Sequence, residues 1–218
     1  MTDIQKSVVI ANGDFILNDR IKALLDSSER IVCADGGANH LTDTGYSPVL
    51  IIGDMDSILP ATVKKFNKIE IIKDSDENTT DSMKAIEHEL SQGIDEIVLL
   101  GGTGQRIDHS LANLSLLKRY DQLTDLTLLD DFSETVFVQK DLTFDAEIGR
   151  KISLMVLGGS SWVSTKGLKW ELDGELQSFG PFGVSNEVAE PSVTVKVYGD
   201  GLFLFKLFEK SDGTPIVG

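Results

Sequence analysis

The chain has 218 residues, enough for one large or two small domains with a sizeable core. Hydrophobic residues make up 41% and charged residues 25%, and five prolines stand against twenty glycines, which excludes disordered, collagen-like and proline-rich classes. Twenty Lys and Arg against thirty-five Asp and Glu give a net charge of −15, so nucleic acid and anionic membrane surfaces are disfavoured as partners.

The N-terminus and the single cysteine predict a soluble, cytoplasmic protein. Residues 1–6 lack the basic segment and following apolar segment of a secretory signal peptide. No run approaches the roughly eighteen apolar residues of a membrane-spanning helix. Cys33 is the only cysteine, so a disulfide within the chain is excluded and a buried structural thiol is expected.

Residues 1–130 alternate between short apolar runs and amphipathic stretches. The apolar runs are rich in β-branched residues, as expected of strands covered on both faces, and they span 8–10, 31–34, 49–52, 69–72, 97–100 and 126–129. The amphipathic stretches have helical spacing, with Met83, Ile86 and Leu90 in one and Leu111, Leu114 and Leu117 in the other. This alternation predicts a first domain with an open, mostly parallel α/β sheet.

Residues 131–218 have a different pattern, in which the helical spacing fades. Strand-like runs, separated by glycine-rich turns, span 136–138, 152–157, 193–198 and 202–208. They predict an all-β second domain, a sandwich or a jelly-roll-like module.

The second predicted strand ends in Asp35-Gly36-Gly37-Ala38-Asn39. Parallel α/β sheets bind ligands outside the carboxyl ends of their strands, so this loop is a candidate for ligand contact. Asp35 can accept a hydrogen bond from a ribose or a base, or it can make an Asx turn.

The third strand ends at Gly53 and is followed by Asp54 and Asp56. If the chain stays extended, these side chains point the same way about 6.6 Å apart and repel by roughly 2.5 kcal/mol at an effective dielectric of about 20. A divalent cation such as Mg²⁺ would turn that repulsion into binding energy. The alternative is that both aspartates are solvated turn or capping residues.

Asp81 follows the next strand and falls in the first turn of a predicted helix. There it can compensate the helix dipole, an interaction worth about 0.3–1 kcal/mol. One helix end does not need all four acids of residues 74–81, however, and these acids share a sheet edge with Asp54 and Asp56. The cluster therefore favours a metal site.

The fifth strand leads into Gly101-Gly102-Thr103-Gly104-Gln105-Arg106-Ile107-Asp108-His109. Glycines let backbone N–H groups approach an anion, a helix beginning near Asp108 directs its positive end there, and Arg106 can bind phosphate with two hydrogen bonds. The segment is neither a Walker A loop nor a dinucleotide fingerprint. Asp108 can instead cap its helix, and His109 can be a surface residue.

In the second half, Trp170 and the pair Ser185 and Asn186 stand out. Trp170 can be an ordinary residue of the β domain, or it can stack on a planar ring with a cation–π contribution of roughly 0.5–2 kcal/mol. Ser185 and Asn186 can supply polar contacts or form a turn.

Taken in order, these segments resemble the thiamine pyrophosphokinase family. The resemblance covers residues 8–208 and rests on 35–39, 53–57, 80–81, 101–109, 167–170 and 185–186. It implies an α/β nucleotide-binding domain followed by a β sandwich, a homodimer with active sites between subunits, and transfer of pyrophosphate from ATP to thiamine with Mg²⁺. Asn78 and Gln105 depart from that family's pattern, in which an acid and a glycine are frequent.

The resemblance also implies roles for individual residues. Asp54, Asp56 and Asp81 would hold Mg²⁺, Arg106 with Gly101, Gly102, Thr103 and Gly104 would meet the phosphates, and Asp81 or Asp108 would accept the hydroxyl proton. Asp35, Gly36, Gly37, Asn39 and His109 would border the nucleotide. Trp170, Ser185 and Asn186 would border thiamine, contributed by the partner subunit.

Two other functions remain open on the sequence. One is a Mg²⁺-dependent pyrophosphokinase or nucleotidyltransferase with a different alcohol acceptor. The other is a sensor that binds ATP or thiamine on the same scaffold without turnover.

Overall fold

The structure is a computed structural model that describes residues 5–208. These residues fall into two compact units, with the division between Asp130 and Asp131. The first unit combines a parallel sheet with helices, and the second contains antiparallel strands. The predicted fold class, α/β followed by all-β, is therefore confirmed.

The first unit is built on six parallel strands, whose apolar residues form its core. They are β1 (Lys6–Ile10), β2 (Arg30–Ala34), β3 (Leu50–Gly53), β4 (Glu70–Lys73), β5 (Glu96–Leu100) and β6 (Asp125–Leu129). Their order in the sheet is β6-β5-β1-β2-β3-β4. The expectation that all six are covered on both faces is wrong for β4, which pairs only with β3 in this unit and is largely exposed.

Four helices and a 3₁₀ helix follow the strands of the first unit. They are α1 (Asp19–Ser27), the 3₁₀ helix (Asp35–Leu41), α2 (Pro60–Lys65), α3 (Asp81–Ser91) and α4 (Ile107–Tyr120). The two predicted helices are α3 and α4. None of the helices in residues 5–208 has the length and apolarity needed to cross a membrane.

The buried face of α4 differs from the predicted stripe of Leu111, Leu114 and Leu117. Leu111 is 52% exposed. The residues that α4 buries are Asn113, Leu116, Leu117 and Tyr120. A polar residue joins this face because Asn113 donates a hydrogen bond to the Gly102 carbonyl at 2.9 Å, which ties the helix to the loop after β5.

The face that α3 buries includes charged side chains. Glu89 has no exposed side-chain surface and accepts two hydrogen bonds from the Arg30 guanidinium, at 2.8 and 3.0 Å. Because these bonds compensate the buried charge, the helix packs Glu89 inward, whereas the predicted residues Met83 and Leu90 are only partly buried.

The chain reverses its direction of travel across the sheet at β1, which lies between β2 and β5. Loops on either side of such a reversal diverge and leave a crevice for ligands. Here the loops are also joined, because the Gly13 N–H donates to the Gly101 carbonyl and the Asp14 N–H to the Thr103 carbonyl, both at 2.8 Å.

The second unit is a β sandwich. One sheet has the order β12-β9-β14-β7, from β7 (Ser133–Val138), β9 (Lys151–Met155), β12 (Asn186–Glu187) and β14 (Leu202–Leu207). The other has the order β11-β10-β13-β8, from β8 (Leu142–Asp145), β10 (Ser160–Lys166), β11 (Asp173–Gln177) and β13 (Ser192–Gly199). Alternate residues of both sheets, including Leu154, Val163 and Val195, form one hydrophobic core.

Candidate active site

Three carboxylates converge at the carboxyl ends of β2 and β3. Asp35 follows β2, Asp54 follows β3, and Asp81 is the first residue of α3. Each offers an oxygen, and these oxygens lie within 4.8 Å of one another. Like charges at this spacing repel one another, so the group is suited to bind a cation.

Gly53 allows this close approach. A Cβ atom at this position would lie 2.8 Å from the Asp35 Cβ and 3.0 Å from Asp81 Oδ1. Any side chain at the end of β3 would therefore push the two carboxylates apart.

Asp35 is the buried member of the group. Its Oδ2 accepts a hydrogen bond from the Ser57 N–H at 2.8 Å, whereas its Oδ1 is buried and has no hydrogen-bond partner in residues 5–208. Burial raises the pKa of Asp35, the hydrogen bond from Ser57 opposes that rise, and the charges of Asp81, Asp54 and Asp56 add to it. A buried acceptor without a partner is costly, so this oxygen fits a cation or a donor from a ligand.

Asp54 and Asp56 do not lie on an extended chain. Met55, between them, has a left-handed backbone with φ of 68°. The Asp56 N–H donates to Asp54 Oδ1 at 3.1 Å, and Asp56 Oδ1 accepts from the Ser57 hydroxyl at 2.7 Å. With this turn in place, Asp35, rather than Asp56, completes the group of three.

Asp81 is held by the start of α3. The Thr80 hydroxyl caps the helix by accepting from the Met83 N–H at 3.3 Å. The Asp81 Oδ1 atom lies 3.1 Å from the ammonium of Lys84, one turn further along the helix.

Lys84 is a residue that the sequence analysis missed. Its side chain is only 4% exposed, and its ammonium also donates to the Asp74 carbonyl at 3.0 Å. The signal was available in the spacing, since residues three apart on a helix are neighbours and an acid at the first position favours a base there.

The predicted nucleotide-side residues Gly36, Gly37 and Asn39 lie in the 3₁₀ helix, and both glycines are buried. The Asn39 side chain braces the loop after β3: its Oδ1 accepts from the Leu59 N–H at 3.0 Å and its Nδ2 donates to the Ser57 carbonyl at 3.0 Å. Asn39 thus fixes the loop that supplies the Ser57 N–H to Asp35.

The glycine-rich loop lies between β5 and α4, as predicted. Gly101 and Gly102 are buried, and the Thr103 hydroxyl donates to Asp130 at 3.2 Å. Gly104 has φ of 84°, and a side chain there would collide with the Asp14 carboxylate. The loop therefore packs tightly against the loop that follows β1.

Arg106 and Asp108 form an exposed ion pair at the start of α4. The guanidinium Nε lies 3.1 Å and a terminal nitrogen 2.5 Å from the two carboxylate oxygens. This pairing lowers the pKa of Asp108 to about 2. A group of such low basicity is poorly suited to accept a proton at neutral pH. His109 lies beside the pair, exposed in the first helical turn.

In the second unit, Trp170, Ser185 and Asn186 are brought together. The Trp170 N–H donates to Asn186 Oδ1 at 3.2 Å, and Asn186 Nδ2 donates to the Trp170 carbonyl at 2.6 Å. Asn186 is buried, whereas Ser185 is exposed and has φ of 57°. The side chain of Trp170 remains free for contact, since the residue is 54% exposed.

The loop that carries Trp170 is rigidly braced. Glu171 Oε1 accepts from the N–H groups of Gly167 and Leu168, at 2.7 and 3.0 Å. The Lys169 ammonium lies 4.9 Å from the centre of the Trp170 ring. An exposed tryptophan on a fixed loop is not a core residue, so the role of a binding surface is favoured.

Family models match both parts of the chain. Residues 21–128 match the family described as thiamin pyrophosphokinase, catalytic domain, and residues 136–200 match the family described as thiamin pyrophosphokinase, vitamin B1 binding domain.

Individual relatives agree with the family models. Thiamine pyrophosphokinase 1 of Oryza sativa subsp. japonica is 31% identical, over 88% of this chain and 86% of its own length. The crystal structure of thiamine pyrophosphokinase from Bacillus subtilis has a TM-score of 0.83 at 22% identity, covering 93% of this chain and 99% of that chain. The thiamin pyrophosphokinase from Candida albicans has a TM-score of 0.84 at 19% identity, covering 94% and 90%.

Proposed function

The chain belongs to the thiamin pyrophosphokinase family, and we propose that this enzyme transfers a pyrophosphoryl group from ATP to the hydroxyl group of thiamine. The hydroxyl oxygen forms a bond to the β-phosphorus, and the bond from that phosphorus to the oxygen of the α-phosphate breaks. The hydroxyl proton passes to Asp81, the remaining candidate acceptor, and the products are thiamine diphosphate and AMP. The observation that carries the proposal is the convergence of three carboxylates at the sheet edge of a family member.

The chemistry of the carboxylate group fits Mg²⁺. Asp35, Asp54 and Asp81 offer hard oxygen ligands, and the unpartnered Oδ1 of Asp35 has a lone pair to donate. These three residues would hold the ion, with Asp56, the remaining predicted ligand, at the rim of the site. When bound, Mg²⁺ supplies positive charge that offsets the negative charge of the phosphates during transfer.

The glycine-rich loop and Arg106 would bind the phosphates. The positive end of α4 faces this loop, and Arg106 is exposed. Asp108 competes with phosphate for the same guanidinium, so we assign it the role of holding Arg106 in place rather than that of proton acceptor. Residues 35–39 and His109 would border the rest of the nucleotide.

Trp170, Ser185 and Asn186 would border thiamine. The exposed indole offers a face for the aromatic rings of thiamine, one of which carries a positive charge. Three exposed apolar residues, Phe179, Phe182 and Val184, precede Ser185 and provide surface for association with a second copy of the chain. We propose a homodimer in which these residues reach the catalytic unit of the partner subunit.

We place the reaction in the cytoplasm. Cys33 is fully buried and unpaired, and burial raises the pKa of its thiol, as expected for a structural cysteine. The sequence therefore carries no disulfide that would call for an oxidising compartment.

The proposal is tested by incubating the full chain with ATP, Mg²⁺ and thiamine and measuring the products by chromatography. Thiamine diphosphate and AMP in equal amounts are expected. Release of inorganic pyrophosphate would indicate nucleotidyl transfer instead, and binding of ATP without turnover would indicate a sensor. AMP formation with another alcohol but not with thiamine would assign a different acceptor.

A further inference from the structure

A lysine buried beside Asp81, one of the three clustered carboxylates, needs an explanation beyond packing. Transfer of an ammonium group from water to the protein interior is costly unless the charge is compensated. Lys84 is 4% exposed at its side chain, and it is paired with Asp81 Oδ1 at 3.1 Å. The same Asp81 oxygen approaches Gly53, where the group of carboxylates meets.

The position of Lys84 is fixed from two sides. Its ammonium donates to the Asp74 carbonyl at 3.0 Å, and the Asp74 N–H donates to the Gly53 carbonyl at 2.8 Å. The positive charge is therefore held by Asp81 and by the Asp74 carbonyl, and the loop that carries this carbonyl is itself tied to the end of β3.

The Lys84 ammonium changes the net charge of the group of three carboxylates. The ammonium offsets one of the three negative charges, which leaves a net charge of −2 on the group, from −3 + 1. Without the lysine, the same carboxylates would attract any cation more strongly, and they would favour an ion of higher charge.

We propose that Lys84 is a specificity-determining residue that sets the charge of the metal site, so that the site favours a divalent over a trivalent cation. The proposal rests on the metal site of the proposed function. The repulsion between the ammonium and a bound ion is proportional to the charge of the ion, so the ammonium disfavours a trivalent ion more than a divalent one.

The test is the variant Lys84→Met, which keeps most of the side-chain length and removes the charge. Binding of Mn²⁺ is measured by electron paramagnetic resonance and binding of Tb³⁺ by luminescence, both without nucleotide. We expect Mn²⁺ to bind about tenfold and Tb³⁺ about thirtyfold more tightly than to the wild type, because the logarithm of the gain scales with ionic charge. Unchanged or equal shifts for the two ions would overturn the proposal.

Three further variants separate charge from packing. Lys84→Arg keeps the charge, so its preference for Mn²⁺ over Tb³⁺ should stay within about twofold of the wild type. Lys84→Gln also removes the charge, and it takes the place of Lys84→Met if that variant does not fold. Lys206→Met removes the partly buried partner of Glu134 in the β sandwich, and it should leave both affinities unchanged. If the wild type binds neither ion, the metal site itself is refuted rather than the role of Lys84.

Discussion

Gly53 controls the distance between Asp35 and Asp81, so the smallest possible change there should alter the metal site. A methyl group at this position would lie 3.0 Å or less from atoms of both side chains. We expect Gly53→Ala to weaken Mn²⁺ binding by at least tenfold and to lower the free energy of unfolding by about 1–3 kcal/mol, as in other overpacked sites. Calorimetry and urea denaturation measure the two effects. Gly158→Ala, at a position with open space around it, is the matched control.

Substitution of Asp54 tests whether the carboxylates hold a metal ion that is needed for phosphoryl transfer. Asp54→Asn keeps the size of the side chain and removes a charge from the group, and we expect AMP formation at ordinary Mg²⁺ to fall by about 100-fold or more. Asp56→Asn, measured in parallel, should cause a comparable loss if Asp56 joins the ligands when substrate binds. An Asp54→Asn variant with the full wild-type rate would remove the metal role.

Trp170 is predicted to contact thiamine and not ATP. Trp170→Ala should therefore raise the KM for thiamine by about tenfold or more, as expected for loss of a stacked aromatic contact, and change the KM for ATP little. Trp162 is the natural control, since it is similarly exposed, at 50%, but lies within strand β10 rather than in the loop that carries Trp170. Equal changes in both KM values for Trp170→Ala would indicate a structural tryptophan.

At the scale of the elements, the ion pair of Arg30 and Glu89 joins β2 to α3. Burial raises the pKa of Glu89, but the hydrogen bonds from Arg30 and neighbouring side chains and the charge of Arg30 together outweigh it, so the pKa lies below its ordinary value of 4.5. A lowered pKa in the folded protein means that the stability contributed by this carboxylate is present above pH 4.5 and is lost as the pH falls through the lowered value.

Removing Arg30 leaves a buried carboxylate without its partner. We expect Arg30→Met to lower the free energy of unfolding by about 3–5 kcal/mol at pH 7 and to weaken the loss of stability on acidification. Urea denaturation at pH values between 3 and 7 measures both the free energy of unfolding at pH 7 and its decrease on acidification. Lys6→Met breaks the more exposed pair with Glu96 and should cost less than about 1 kcal/mol. Arg30→Met with a loss as small as this control would contradict the account.

The strands of the parallel sheet and the helices α3 and α4 were predictable because apolar runs and helical spacing of apolar residues are local signals. The helices α1 and α2 were not, since α1 buries only Ile21 and Leu25 and α2 has six residues. Strand β10 was missed because most of its residues are small or polar. Short or polar elements are defined by their neighbours, which a local pattern does not contain.

The loops that form the site could be predicted from the sequence, but the contacts between their side chains could not. The segments that follow the parallel strands can be identified from the sequence, and their strands bring their carboxyl ends to one edge of the sheet. These segments carry Asp35, Asp54, Asp81 and Arg106. The turn at Met55, after which Asp56 lies outside the group of three, depends on backbone conformation, and the pairing of Arg106 with Asp108 depends on side-chain conformation. Tertiary packing, rather than the local sequence, determines these conformations.

At the scale of the whole molecule, the proposed dimer makes a prediction about mixed subunits. If Asp54 of one subunit and Trp170 of the other serve the same active site, a dimer of one Asp54→Asn and one Trp170→Ala subunit contains one intact site. Random mixing of equal amounts should therefore restore about a quarter of the wild-type rate at low thiamine concentration. No recovery in mixtures shown by sedimentation to exchange subunits would place each complete site within one chain.

All five non-glycine residues with left-handed backbone in residues 5–208 lie in loops or segments assigned to ligand or partner contact: Asp35, Met55, Gln105, Phe179 and Ser185. Such conformations cost about 1–3 kcal/mol each, and glycine would relieve the strain. Substitution by glycine at these positions, for example Gln105→Gly, is therefore a route to higher thermal stability. The same substitutions would increase the conformational freedom of these loops. A gain in thermal stability at any of the five positions should therefore come with slower turnover.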